Sequence, residues 1–510
     1  MWMGAAERSA PRLRGSARAD VCIVGAGIAG LATAWRLTQA GYSVVVLDAR
    51  EPGMGETSRT TAHLVTALDR GWSAVTAIHG DALARLAADS HRAAIDEIEV
   101  FCAGGGGDCH FERLDGFLFA APGTAHTPLE AELDAARRAG VDGVEMVSRA
   151  PLRGYDTGPC LRFPRQAACH PLRLVSALRG AITRARGHVF GRARVEGIEP
   201  GRPARVHVAG GATVTADAVV VATNSPVAGA PALHAMQAPY RTYAIAAPVP
   251  RGSITNALYW DTEEPFHYVR LERSDERNDV LIIGGADHKT GQGGGTANER
   301  YRRLMRWARL RFPTMGAVTS HWSGQVMESV DGLAFIGRPQ AGTDLFVVTG
   351  DSGNGMTHGM VAALLLGDLI AGRENPWQAV YDPRRRRVST VGRLAKENLN
   401  VALQLTDWVR PGELADASTI AAGSGAVLRR GLRRVAVYRR PSGQLCELSA
   451  ICPHLGCIVR WNAAERTWDC PCHGSRFQPE GGVIAGPATR ALTPLGAEPE
   501  TLPERRREQR

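Results

Sequence analysis

Cys452-Pro-His-Leu-Gly-Cys457, followed by Trp468-Asp-Cys-Pro-Cys-His-Gly-Ser-Arg-Phe477, is the stretch from which the rest of this chain can be read. Cys452 and His454 form a C-x-H pair, and Cys470 and His473 form a C-x-x-H pair. Two thiolates on one iron and two imidazoles on the other make a [2Fe–2S] centre whose potential lies above that of an all-cysteine cluster. Each short motif can sit on a tight loop, and the intervening residues are long enough for a strand pair to bring the second loop back beside the first. A four-ligand zinc site is the rival, because Cys and His at short spacings suit Zn²⁺ too. The C-x-H spacing, the spare cysteines Cys457 and Cys472, and the His-Gly-Ser tail all favour the cluster.

These residues resemble the Rieske proteins of cytochrome bc complexes. The resemblance implies that Cys452, His454, Cys470 and His473 are the ligands of one Rieske-type [2Fe–2S] cluster, and that Cys457 and Cys472 form a disulfide clamping the two loops. It also implies that the Ser475 hydroxyl, after Gly474, bonds a cluster sulfur and raises the potential. The family often has a tyrosine where Phe477 stands here, so one such bond is expected to be missing.

Working outward, 510 residues suggest two or three domains, and 44% hydrophobic with 22% charged residues describe an ordinary globular protein. The net charge of +9 is almost all arginine, since Lys289 and Lys396 are the only lysines. It reads as a solvated surface and not as a nucleic-acid footprint, because the densest runs, Arg384 to Arg387 and Arg505 to Arg507, carry no interleaved aromatics. No apolar run reaches the ~18 residues that span a bilayer; the longest, Met360 to Ile370, is interrupted by Asp368. A cytoplasmic location is expected, in which a Cys457–Cys472 disulfide would be an exception shielded beside a cluster.

Residues 1–19 read as a mobile arm. Ala19 to Val24 is then a buried parallel strand. Gly25-Ala-Gly27-Ile-Ala-Gly30 and a helix from Leu31 to Gln39 follow, and the strand Ser43 to Leu47 ends at Asp48. This is G-x-G-x-x-G in its required context of strand, turn, helix, strand and acid. Gly25 permits the turn, Gly27 lets a pyrophosphate approach the helix N-terminus at Ile28 and Ala29, and Gly30 lets helix and strand pack. Asp48, with Ala49 and Arg50 after it, is placed to bond a ribose hydroxyl. The loop Gly53 to Leu64 supplies Thr57, Ser58, Thr60 and Thr61 for phosphates and a flavin edge. Residues 72–100 read as helical. Cys102 and Cys109 flank a Gly-rich loop without a second ligand pair.

Strands are expected at His188 to Phe190, Ala193 to Ile198 (with Val195), Ala204 to Val208 and Asp217 to Ala222, the last ending in Thr223-Asn224. With Asp331-Gly332-Leu-Ala-Phe-Ile-Gly337 and Gly350-Asp-Ser-Gly-Asn-Gly-Met-Thr-His-Gly359, the chain resembles the D-amino-acid oxidase/glycine oxidase superfamily over about residues 20–375. That resemblance implies an α/β FAD-binding Rossmann-like domain with an inserted antiparallel substrate domain. It implies FAD contacts at Val195, Thr223, Asn224, Asp331 and Gly332, and at Gly350, Asp351, Gly353, Asn354, Gly355, Met356 and Thr357. The FAD-binding parts are expected near 20–85, 160–235 and 326–375, and the substrate parts near 86–159 and 236–325. Family substrates are amines and amino acids, an Arg/Tyr pair commonly gripping the carboxylate. Tyr268 and Arg270, with Tyr259 and His267, are the candidates here, and no catalytic base is assigned. His63 lies in the loop through which some relatives hold flavin covalently, but its neighbours do not match theirs.

Residues 376–412 read as a linker with an amphipathic helix (Leu394, Val401, Leu405, Trp408) that packs one domain on the other, stopped by Pro411-Gly412. Residues 413–502 read as an all-β Rieske domain, and 503–510 as a charged tail. The whole looks like the bacterial FAD-dependent oxidoreductases with a C-terminal Rieske domain. The expected function is oxidation of an amine, amino acid or related small molecule, hydride passing to FAD and single electrons through the cluster to an external acceptor. An NAD(P)H-linked reductase would need a second nucleotide motif, and Leu281-Ile-Ile-Gly-Gly-Ala-Asp-His288 lacks the spacing. An electron-transfer or redox-sensing module without a substrate of its own, and a plain oxidase using O₂, also compete.

Overall fold

In the computed structural model, described for residues 2, 9–105, 107–124, 127–228, 231–292, 296–408 and 416–495, two sheets build the N-terminal unit and two smaller ones the C-terminal unit. The first sheet runs Phe335–Gly337, Leu345–Thr349, Thr213–Val221, Ala17–Val24, Val44–Leu47, His188–Phe190. Cys22 lies in parallel register with Val45 on one side and Val219 on the other. These Val/Ile runs are buried on both faces, as β-branched residues in a covered parallel sheet must be. The helices Ile28–Gln39 and Gly355–Ile370 cover it and pack on each other, a Cβ on Gly359 meeting the Ala29 backbone at 3.2 Å.

The second sheet is the larger. Its order is Ser320–Ser329, Gln237–Pro250, Asn278–Lys289, His267–Arg273, Leu258–Asp261, Glu112–Phe119, Cys160–Ala168, His63–Leu64. Leu281 to His288 thus lies in a sheet strand, not in a nucleotide-binding turn. Cys160–Ala168 also belongs here, so the start of the segment expected near 160–235 lies in this second sheet and not in the first. In the C-terminal unit, Gly425–Arg430, Arg433–Arg439 and Leu445–Ser449 form one sheet. Arg460–Asn462, Thr467–Asp469, Arg476–Phe477 and Val483–Ala485 form the other. Trp468 and Phe477 fill its core.

Three expectations need correction. The N-terminal arm is tied down at both ends: Trp2 is buried with its indole N–H on Thr60 O (2.8 Å), the Ala10 N–H meets Glu51 (2.9 Å), and the first strand starts at Ala17. The helix of residues 72–100 is two, Trp72–His79 and Asp81–Ala103, broken where Gly80 takes φ +80°. The arginine run 384–387 is not wholly solvated. Arg385 is buried, paired with both Asp331 oxygens (2.7 and 2.8 Å) and stacked over Phe335. The helix Val391–Gln404 does bridge the units, Leu394 packing on the first and Val401 on the second. The Leu405 side chain, Pro411-Gly412 and the charged tail lie outside the described residues. Among the described residues no helix is long and apolar enough to cross a membrane.

Candidate active site and redox centres

A cavity of about 540 Å³ runs between the two large sheets, from Gly25, Asp48 and Val195 at one end to Trp260, Tyr268 and Asp287 at the other. The end at Gly25 follows from three glycines. Gly25 takes φ +108°, where a side chain would also strike Ala222 O. A Cβ on Gly27 would stand 3.1 Å from Thr57 Oγ1, and one on Gly30 would overlap Gly25 O. The Asp48 carboxylate accepts N–H bonds from Ala26 (2.7 Å) and Arg50 (2.8 Å), while burial pushes its pKa up. The cradle, the helix N-terminus beside it and the length of the cavity suit a dinucleotide with an attached flavin.

At the second centre the two loops lie together. Cys457 and Cys472 are disulfide-linked, and the His454 and His473 rings are 5.1 Å apart. The Cys452 sulfur is met by the Cys470 thiol, the His454 and Leu455 N–H groups and the Ser475 hydroxyl; that of Cys470 by the Cys472 and His473 N–H groups. Buried His473 Nδ1 has no hydrogen-bond partner. Thiolates ringed by donors, and an imidazole nitrogen left without a partner, are what a [2Fe–2S] cluster takes up.

Residues 20–369 match the model of the FAD dependent oxidoreductase family, and residues 411–496 that of the Rieske [2Fe-2S] domain. This chain belongs to the FAD-dependent oxidoreductase family and carries a C-terminal Rieske domain. The YhfW protein of Bacillus subtilis (strain 168), whose name places it among Rieske 2Fe-2S iron-sulfur proteins, is 30% identical over 95% of this chain and 94% of its own. The cytochrome b6-f complex iron-sulfur subunit of Prochlorococcus marinus is 32% identical over 27% of this chain and 72% of its own. Glycine oxidase from Geobacillus kaustophilus shares the fold (TM-score 0.61, 20% identity, 73% of this chain and all of that one). FAD and one [2Fe–2S] cluster are therefore the cofactors of this oxidoreductase.

Of the residues expected to meet FAD, Gly25, Gly27, Ile28, Ala29, Asp48, Ala49, Arg50, Thr57, Thr60, Thr61, Val195, Thr223, Asn224, Asp351, Gly353, Asn354, Gly355 and Met356 line the cavity. Gly30, Ser58, Gly332, Gly350 and Thr357 stand behind that wall, and Asp331 is turned away from it to hold Arg385. Of the substrate candidates only Tyr268 reaches the cavity, its hydroxyl bonded to Thr242 Oγ1 (2.6 Å). Arg270 is buried behind it, paired with Glu272 and donating to the carbonyls of Thr61, Ala62 and Cys169. Tyr259 donates to Thr255 O, and His267 pairs with Asp261 and stacks on Trp307. These three are core residues, because a buried charge or hydroxyl takes the nearest protein partner. His63 lines the cavity with both ring nitrogens engaged, Nδ1 by Thr61 Oγ1 (3.0 Å) and Nε2 by Val269 O (3.4 Å).

Sequence reasoning missed the joint between the two units of this oxidoreductase. Ile484, Ala485 and Gly486 of the Rieske domain line the FAD cavity. Gln325, from the cavity wall, donates through Nε2 to the carbonyl of Gly474 (3.1 Å), the neighbour of ligand His473. Arg59 donates to Glu465 (3.0 Å), and buried Arg241 faces buried Asp469 at 3.6 Å. His234 packs on both ligand imidazoles, 4.8 Å from His454 and 5.8 Å from His473. Burial and those two rings push its pKa down to about 3. No motif marks any of these residues.

Proposed function

We propose that this chain is a dehydrogenase of an amine or amino-acid-like small molecule that passes electrons inward from the substrate cavity to its own Rieske domain, and from there to an external one-electron acceptor. Bound FAD supplies two-electron acceptance from a substrate C–H, and the [2Fe–2S] cluster supplies one-electron traffic. The balance is then a substrate that loses a hydride from carbon and a proton from nitrogen to become an imine, and two equivalents of external acceptor each reduced by one electron. The observation that carries this reading is the shared wall: Gln325 touches both the cavity and the cluster loop, and Ile484 to Gly486 close the cavity from the Rieske side.

The chain's own residues do the holding. Gly25, Gly27 and Asp48 would seat the adenosine diphosphate end, and Asp351 to Met356 the other end of the cofactor. Tyr268 stands at the end lined by Trp260 and Asp287, where a substrate would lie. His63 and His358, pushed down by burial, stay neutral there, His63 to about 3. A cytoplasmic location accords with this reading. So does a division into a FAD and substrate part over 20–375, a linker over 376–412 and a Rieske domain over 413–502.

Anaerobic titration of the holoprotein with amines, amino acids, NADH and NADPH tests it. Flavin bleaching is followed optically and the reduced cluster by electron paramagnetic resonance. Bleaching by an amine or amino acid, then growth of the cluster signal, is expected; bleaching by NAD(P)H alone would overturn the reading.

A further inference from the structure

The end of the cavity at Trp260, Tyr268 and Asp287 is acidic. Asp69, Glu264, Asp287, Glu328 and Asp351 line it, against one guanidinium, that of Arg70. Arg70 is already occupied, donating to Val330 O (3.0 Å) and lying near both Glu328 and Asp331. The remaining cations of the wall serve elsewhere. Arg59 reaches Glu465, and Arg50 and Arg194 lie beside Asp48. Behind Asp287, Arg300 donates to Ala286 O, and it does not line the cavity.

Two of these acids have an oxygen with nothing to hold. Asp287 Oδ1 and Asp351 Oδ1 are sealed from solvent and have no hydrogen-bond partner. An unpaired buried carboxyl oxygen of this kind costs stability and favours the neutral acid until a cation comes near. Burial pushes Asp287 and Asp351 up to about 7, and Glu328 and Asp69 also upward, the nearby carboxyls adding to it. Among the described residues the acid and Cys/His atoms that crowd within metal-ligating reach are Cys457, Cys470 and Cys472, and Asp261, Glu263 and His267. The five carboxyls are not in either group, so they are not gathered for a metal. Beside them Leu118, Phe163, Trp260 and Phe266 offer an apolar wall for a short hydrocarbon.

We propose that the substrate is an alkylamine cation without a carboxylate, its ammonium held by Asp287 and Glu328 and its carbon chain against Trp260 and Phe266. This rests on the amine-dehydrogenase reading and narrows it. A carboxylate brought into this end would face these acids with no free arginine to meet it.

The test is equilibrium binding to the FAD-loaded holoprotein, with n-butylammonium and butyrate as probes and the shift of the flavin absorption band as readout. A charge-assisted contact is worth about 10- to 100-fold in affinity. Butylammonium should therefore bind at least about tenfold tighter than butyrate, and Asp287→Asn and Glu328→Gln should each erase most of that preference. Butyrate binding as tightly as butylammonium, or butylammonium failing to perturb the flavin, would overturn the inference without touching the dehydrogenase reading. So would a preference that survives in both variants. Butylammonium bound tightly to a flavin that no amine or amino acid bleaches would sustain the cation site and end the dehydrogenase reading instead.

Discussion

Asp469→Asn should loosen the joint on which the proposed electron passage depends. Its side chain is 2% exposed, as is that of Arg241 across the joint. Asp469 accepts from Asn462 (2.8 Å), Thr467 (2.7 Å) and Arg476 (3.2 Å) within the Rieske domain, and lies 3.6 Å from Arg241. Arg241 is poorly served otherwise: Nη1 donates to Ser323 Oγ (2.8 Å), while Nε and Nη2 have no hydrogen-bond partner. Neutralising Asp469 leaves two buried guanidinium groups facing Glu465 and each other. Breaking a buried pair in this way costs ~3–5 kcal/mol. For a unit of ~60–100 residues each kcal/mol moves the midpoint by ~4 °C or more, so the Rieske transition should fall by roughly 12 °C or more. Calorimetry of the holoprotein reads it directly. Adding Arg241→Met removes the stranded charge and should recover much of the loss, which a double-mutant cycle measures. A single-variant cost below about 1 kcal/mol, or a double variant no more stable than Asp469→Asn alone, would refute the reasoning.

Four further outcomes are expected. His473→Ala should abolish the paramagnetic cluster signal and the turnover with external acceptors while substrate still bleaches the flavin; unchanged turnover would end the electron-exit reading. Gly30→Ala, whose methyl overlaps Gly25 O, should cost ~1–3 kcal/mol or more and lower the flavin absorbance per protein. Burial alone would raise Glu465 and Asp469, but Arg59 at the first and Arg476 with Arg241 at the second outweigh it and hold both low. Depressed carboxylates stabilise the fold above their unfolded pKa of about 4, and that stability is lost as pH falls further, so unfolding free energy should drop below about pH 4 with a slope that Arg59→Met reduces. Cys457→Ser opens a loop with a sequence separation of 15, worth ~3 kcal/mol, and should shorten the lifetime of the bound cluster followed by visible absorption.

Two kinds of information were unequally legible in the sequence. The cradle at Gly25 to Gly30 and the ligands Cys452, His454, Cys470 and His473 could be read because turn geometry and metal coordination demand particular residues at short fixed spacings. Tyr268 and Arg270 stand two apart on one strand and so share a face, which made both look alike. Arg270 is nonetheless spent on Glu272 and on the carbonyls of Thr61, Ala62 and Cys169, which come from distant segments that no local pattern shows. The acids of the cavity come from segments as distant as Asp69 and Asp351, so no local pattern announces them. Arg385 looked like one member of a charged run, yet it alone finds Asp331 and Phe335. The joint is the extreme case. Arg59 and Glu465 stand |i−j|=406 apart, and only the folded surfaces of both units bring them together.

That joint also bears on where electrons can leave. The imidazole side of the cluster loops is covered by His234, and Gly474 is pressed on Pro239 and Gln325 so closely that a Cβ there would stand 2.6 Å from one and 2.7 Å from the other. Swinging the Rieske unit away would part Arg241 from Asp469 and Arg59 from Glu465, and separating buried ion pairs is costly. The docked arrangement is thus the one in which the proposed passage from cavity to cluster would take place. On the outer side of the first loop Leu455, next to His454, is 61% exposed and the Trp408 indole N–H holds Gly456 O at 3.1 Å, the face open to the proposed acceptor. In the proposed relay the cavity side, where Gln325 holds Gly474, would take up electrons and the opposite, solvent-open edge would release them with the two units still docked.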